Sequence, residues 1–197
     1  MTTANAITWP MPYSLTVSAG PAAEPLTTAE AKLFARVDIS TDDTLVDIMV
    51  SAARDRLERE TGRVFRNTTF VQKFSGHSPG GDIVLARGPV SSVTSVQYVD
   101  GAGSTQTEAA SVYDAILGRD PARIVLAHGQ SWTTPRQQEE SVIVTYVAGY
   151  GTDNTAIPKS YLMALYQQFA HDYTHRDQPD VPRPEAIDRT VELWRIW

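Results

Sequence analysis

The sequence contains no cysteine. That excludes disulfide staples, thiolate metal sites and cysteine nucleophiles, and it fits a reducing compartment. Also missing is any apolar run near the roughly 20 residues that a membrane span requires. Met1 to Gly20 has no basic start and no long apolar stretch, so no secretion signal is expected. Positive charge is scarce: 17 Lys and Arg against 23 Asp and Glu give a net charge of −6. A protein that grips phosphates is usually basic, so this balance argues against nucleic-acid binding as the main task. There are no repeats and no low-complexity tract. What remains is a chain of 197 residues with the composition of a soluble cytosolic globular protein. Its length suits one medium domain that buries roughly 70% of its unfolded surface.

Residues 1–25 carry Pro10, Pro12, Pro21 and Pro25, which points to an extended N-terminal arm. A disordered tail is the alternative. Trp9, Met11, Tyr13, Leu15 and Val17 favour an arm that docks, because pure linkers seldom hold so much apolar surface. A core is expected over 26–176. Its first helix, 27–37, has the capping-box pair Thr27 and Glu30 followed by Leu33, Phe34 and Val37. A second helix spans 42–61, with Thr41 as its cap and Asp42 and Asp43 in the first turn. Leu45, Ile48, Met49, Ala52, Ala53 and Leu57 recur at helical spacing, and Gly62 ends the helix.

Residues 64–148 change to Val, Thr, Ile and Tyr punctuated by Gly, Pro and Asp, which predicts a β insertion. Strands are expected near 68–74, 82–86, 92–99, 111–116, 122–127 and 141–148, with a hairpin turn at Asp100-Gly101-Ala102-Gly103. The continuous runs Ile124-Val125-Leu126 and Val142-Ile143-Val144 suggest strands buried on both faces. Helical spacing returns over 158–175 with Tyr161, Leu162, Leu165, Tyr166 and Phe169. Residues 177–197 form a break with Pro179, Pro182 and Pro184, then a tail helix. The expected class is α+β: two N-terminal and two C-terminal helices pack as one helical core, with an antiparallel β segment inserted between them.

The chemistry-bearing candidates are few. His171 and His175 stand at i and i+4, facing one side of a helix as in zinc hydrolases. Asp172 takes the place of the usual glutamate base, and no third histidine follows. A polar helix end, with histidine favoured by the dipole, is the competing reading. There is no G-x-S-x-G elbow and no P-loop. Gly149-Tyr150-Gly151 lacks the third glycine of a dinucleotide fingerprint, and His77 and His128 have no acid partner nearby in sequence. No catalytic set and no cofactor site is expected.

Arg54, Arg56, Arg59, Arg63 and Arg66 cluster, yet Arg54–Glu58, Asp55–Arg59 and Arg56–Glu60 are i,i+4 pairs. The cluster reads as a salt-bridged solvated face or as a subunit interface built on Arg54, Arg56, Arg59 and Arg63. At the end, Val191, Leu193, Trp194, Ile196 and Trp197 crowd large apolar groups together. They either pack back on their own domain or plug into a partner, where many copies would add by avidity.

A set of segments in order then resembles one family. The segments are Ala23-Glu24-Pro25-Leu26-Thr27-Thr28-Ala29-Glu30-Ala31-Lys32, Asp42-Asp43-Thr44-Leu45, Ala52-Ala53-Arg54, Glu60-Thr61-Gly62-Arg63, Gly88-Pro89-Val90-Ser91-Ser92-Val93, Tyr98-Val99-Asp100, Pro121-Ala122-Arg123-Ile124, Val144-Thr145-Tyr146-Val147-Ala148-Gly149-Tyr150-Gly151 and Ile157-Pro158. Together they resemble the head-to-tail connector (adaptor) proteins of tailed bacteriophages and gene-transfer agents. The resemblance implies a dodecameric ring in the particle neck, bound to the portal on one side and to a stopper or tail-completion protein on the other. It implies a channel through which DNA passes without specific binding, no catalysis, no cofactor and no membrane, with host cytoplasm as the location before assembly. The C-terminal segment would reach the portal, making Leu193, Trp194, Ile196 and Trp197 the candidate anchors. Deleting 191–197 would then leave the subunit folded but unable to join heads to tails. Two other readings stay open: a small metal-dependent hydrolase using His171 and His175, and a generic binding module such as a monomeric chaperone or regulator.

Overall fold

The computed structural model describes residues 13–76, 81–178 and 180–196. His77, Pro179, Trp197 and the arm residues before Tyr13 lie outside them. The chain is α+β. Its elements run β1 (Tyr13–Ala19), α1 (Thr28–Ala35), α2 (Asp43–Thr61), β2 (Thr68–Phe74), β3 (Ile83–Val84), β4 (Val90–Val99), β5 (Thr105–Thr107), β6 (Tyr113–Ile116), β7 (Arg123–Leu126), β8 (Val142–Ala148), α3 (Lys159–Thr174) and α4 (Glu185–Trp194). A five-stranded sheet has the order β1-β2-β8-β4-β5, and a three-stranded sheet has the order β3-β7-β6. Among the described residues, the pairs between named strands are antiparallel.

Two apolar clusters fill the interior. One draws Ala31 from α1, Val50 and Leu57 from α2, Leu165 and Phe169 from α3, and Ile187 and Val191 from α4. The other lies among the strands, around Phe70, Val96, Ile124, Val144 and Tyr146.

The helix ends follow local chemistry. Thr27 Oγ1 accepts from the Glu30 amide at 3.2 Å, and the Glu30 carboxylate accepts from the Thr27 amide at 2.9 Å. The Thr27 hydroxyl and amide hold the Glu30 carboxyl below the usual glutamate range. A carboxyl depressed on folding stabilises above its unfolded pKa, and that contribution fades as the pH falls through the folded value. Thr27→Ala is expected to cost about 1 kcal/mol at neutral pH. The difference from wild type should shrink in acid, as read by urea denaturation at several pH values.

The start of α2 differs from expectation. Asp42, not Thr41, precedes the first helical residue, and it makes no side-chain cap. Its carboxylate instead accepts from the Tyr173 hydroxyl at 2.8 Å, tying α2 to α3. The buried side of α2 also differs. Val46, Val50, Ala53, Leu57 and Thr61 face inwards, at steps of three and four. Leu45, Ile48 and Ala52 follow the same spacing on another face and are exposed. Two stripes of similar period compete in this helix, and periodicity alone does not say which one is covered.

Two strands escape the sequence pattern. Residues 13–19, read as part of an extended arm, form edge strand β1 on β2. The polar triplet Thr105-Gln106-Thr107 forms β5 across the turn at Asp100, whose carboxylate accepts from the Ala102 and Ser104 amides, each at 2.9 Å. The apolar runs are not buried on both faces. Strand β8 alternates buried and half-buried residues, and in β7 Ile124 is the buried residue, so one face of each strand is packed more deeply than the other.

Candidate functional site

The C-terminal end of α2 is where the helical cluster, the strands and the chain's own tail converge. Gly62 closes the helix with φ +76°, a left-handed conformation that favours glycine. Thr61 bonds back to Leu57 O at 2.7 Å and lies 2.8 Å from the Tyr161 hydroxyl. Tyr161 stacks on Phe65 with ring centroids 4.1 Å apart. Burial pushes the Tyr161 phenol up, so it stays a neutral hydrogen-bonding group.

Arg63 leaves this corner and holds the tail. Its guanidinium donates to Trp194 O at 2.7 Å and to the Tyr150 hydroxyl at 3.2 Å. It pairs with Asp120 at 2.7 Å and lies over the Trp194 ring, 5.4 Å from the centroid. The Ile196 amide donates to Thr61 O at 2.9 Å, and Arg195 donates to Glu60 O at 3.2 Å. Arg183, in the proline-rich break, pairs with Glu60 at 2.7 Å and with Asp188 of α4. Trp194 faces Tyr161 at 6.0 Å, and the Ile196 side chain covers Gly62 and Gly88. Replacing Arg63 by methionine removes these bonds together and is expected to cost about 1–3 kcal/mol. Hydrogen exchange at the Ile196 amide should accelerate in that variant.

Of the expected site residues, Trp197 lies outside the described residues, and the others have definite positions. Leu193 is 82% exposed and points away from the body. Trp194 and Ile196 are half-buried against their own subunit. Val191 is 2% exposed inside the helical cluster, so removing 191–197 takes away core as well as tail. Arg54 and Arg63 point inwards. Arg54 is bound by Glu24 at 2.7 Å and Glu58 at 2.9 Å. Burial pushes the Glu58 carboxyl up, against the opposing pull of Arg54 and the Phe65 amide. Arg56 and Arg59 remain at the surface, paired with Glu60 and Asp55.

The two histidines meet, with ring centroids 4.5 Å apart. His171 Nε2 lies 3.3 Å from Val181 O and His175 Nδ1 lies 2.9 Å from His171 O, so each ring commits one nitrogen to a carbonyl. Among the described residues, no three His, Asp or Glu groups lie close enough to hold a metal ion. Among the described residues, no helix is long and apolar enough to cross a membrane. Leu33, Leu45 and Ile48 belong to the apolar stripes expected of α1 and α2. They stand exposed at 82%, 41% and 62%, and the competing valine stripe in α2 was the signal that could have found the latter two.

No protein-family model matches the chain, and no curated protein matches it by sequence. Solved structures do match. A chain from the neck of an empty gene-transfer-agent (GTA) particle, computed with C6 symmetry, superposes with a TM-score of 0.80 at 21% identity, over 92% of this chain and 95% of that one. The fold is that of a GTA neck chain. A chain of the native GTA virion gives a TM-score of 0.80 at 22% identity, over 92% and 94% of the two chains. A chain from the native GTA neck computed with C12 symmetry gives 0.74 at 21% identity, over 92% and 94%.

Proposed function

We propose that this chain is a structural head-to-tail connector of a tailed phage or gene-transfer agent. Copies form a dodecameric ring between the portal and a stopper or tail-completion protein, and the ring continues the DNA channel. The observation that carries this reading is the near full-length likeness to neck chains at a TM-score of 0.80. A helical cluster drawn from both chain ends, with the strands between them in sequence, supports this reading, because it is the arrangement that the resemblance to connectors implies. An acidic subunit suits the wall of such a channel, because each cation facing the duplex would add a salt-sensitive phosphate contact and slow passage. The subunit performs no catalysis and carries no cofactor. It waits in the host cytoplasm before joining the neck.

Portal contact is assigned to the tail residues Leu193, Trp194, Ile196 and Trp197. Leu193 makes the first contact because it is already exposed. Trp194 and Ile196 set the angle at which the tail leaves the body. Of the four arginines, Arg56 and Arg59 are the ones available to a neighbour, because Arg54 and Arg63 are engaged within the subunit. Deleting the gene in the producing strain tests the whole reading. Filled heads without tails are expected, and tailed particles that still deliver DNA would refute it.

A further inference from the structure

The exposed stripe of α2 lies apart from the residues of the helical cluster. Leu45, Ile48, Ala52, Arg56 and Arg59 follow one another at steps of three and four, on a face separate from the buried one. Ile48 is 62% exposed, and Leu33 of α1 and Ile39 of the connector add exposed apolar surface at the same end of the helix pair. Lys32 pairs with Asp43 at 2.6 Å and fixes α1 beside the first turn of α2. Large apolar groups held in the open on a rigid, well-packed helix mark an interaction surface. We propose that this stripe is the contact between neighbouring copies of the chain in the ring, with the apolar half of α2 buried against the next subunit and the charged half at the rim.

Charge selects the occupant. Each subunit carries a net charge of −6, so a face that adds no like charge at the contact favours the approach of a second copy. The stripe is such a face: Arg56 is answered by Glu60 and Arg59 by Asp55, all within the same helix. It offers no unpaired cation to a phosphate backbone, and it offers apolar contact without charge repulsion to an acidic copy. A ring needs a heterologous interface, so the stripe must meet a different patch of the neighbour. This inference rests on the ring reading above.

The absence of cysteine makes the test clean. Ile48→Cys introduces a single thiol, which can carry a benzophenone maleimide. The labelled subunit is added to portal-bearing heads from a strain lacking the gene, and the assembled necks are irradiated. Ala52→Cys, one turn along the same stripe, is the second probe, and Ser104→Cys in the exposed hairpin is the control. The expected result is an adduct of twice the subunit mass from both stripe positions, at least tenfold above the control. Its cross-link should join the stripe to a different segment of the second copy. Adducts with another neck protein, a stripe-to-stripe cross-link, or necks that assemble without an adduct would each overturn the assignment. Failure of the unmodified subunit to enter necks would instead refute the connector reading.

Discussion

Gly149→Val is expected to yield no folded subunit. Gly149 follows β8 with φ +141°, in a region that side chains avoid. A Cβ there would lie 2.4 Å from the Arg66 carbonyl carbon and 2.5 Å from the Asn67 nitrogen. Both are backbone atoms, so no rotamer change relieves the clash. The crossing cannot slide either. Gly149 donates to Pro89 O at 2.8 Å, and Asn67 donates to Gly151 O at 2.9 Å. Conformational strain and overpacking each cost about 1–3 kcal/mol, and valine adds more bulk to the same gap. The sum approaches the whole stability of a typical domain. Loss of the cooperative thermal transition, read by circular dichroism, checks this. A Gly149→Val subunit melting within a few degrees of wild type would contradict the packing described.

The second large effect separates the tail's structural part from its binding part. Removing 191–197 deletes Val191 from the helical cluster, Trp194 from its place between Tyr161 and Arg63, and the Ile196 cover over Gly62. Area burial of that order amounts to roughly 4 kcal/mol. In a chain of this size the melting temperature should fall by about 10 °C. Leu193→Asp touches none of those contacts, because Leu193 is 82% exposed. That variant should melt like wild type yet lose at least tenfold in the yield of tailed particles. The truncation alone cannot report on portal docking, because it confounds lost binding with lost folding. The point substitution can.

Much of the fold was legible because local chemistry agreed with it. The Thr27–Glu30 box, the Gly62 stop and the Asp100 turn each need only a few neighbouring residues, and each forms as their chemistry requires. The three i,i+4 pairs of α2 form for the same reason. What failed depended on tertiary context. Two apolar stripes share α2, and the choice between them is made by α3 and α4, which sequence spacing does not reveal. Strand β1 was hidden because Pro12 and Pro21 on either side of it, with its own polar residues, resemble an extended arm until β2 supplies a partner. Gly149-Tyr150-Gly151 lacks the third glycine of a dinucleotide fingerprint. Its glycine at 149 serves instead to let two backbones cross.

The candidate site was legible only in part. The tail's apolar residues stood out by density, but spacing does not separate Leu193, which faces solvent, from Trp194, which faces the body. In sequence Arg63 is one of a cluster of arginines that reads as a salt-bridged face or a subunit interface, whereas in the fold it links the tail to Tyr150 and Asp120. No local pattern announces a cation that reaches across more than a hundred residues.

The most direct measurement is an electron cryo-microscopy map of the neck of the producing strain's own particles, with and without this gene. The account predicts a closed ring whose repeating density fits this fold, seated between portal and tail, and absent with the tail when the gene is deleted. A neck complete in the deletion strain, or a ring position filled by a different fold, would contradict it.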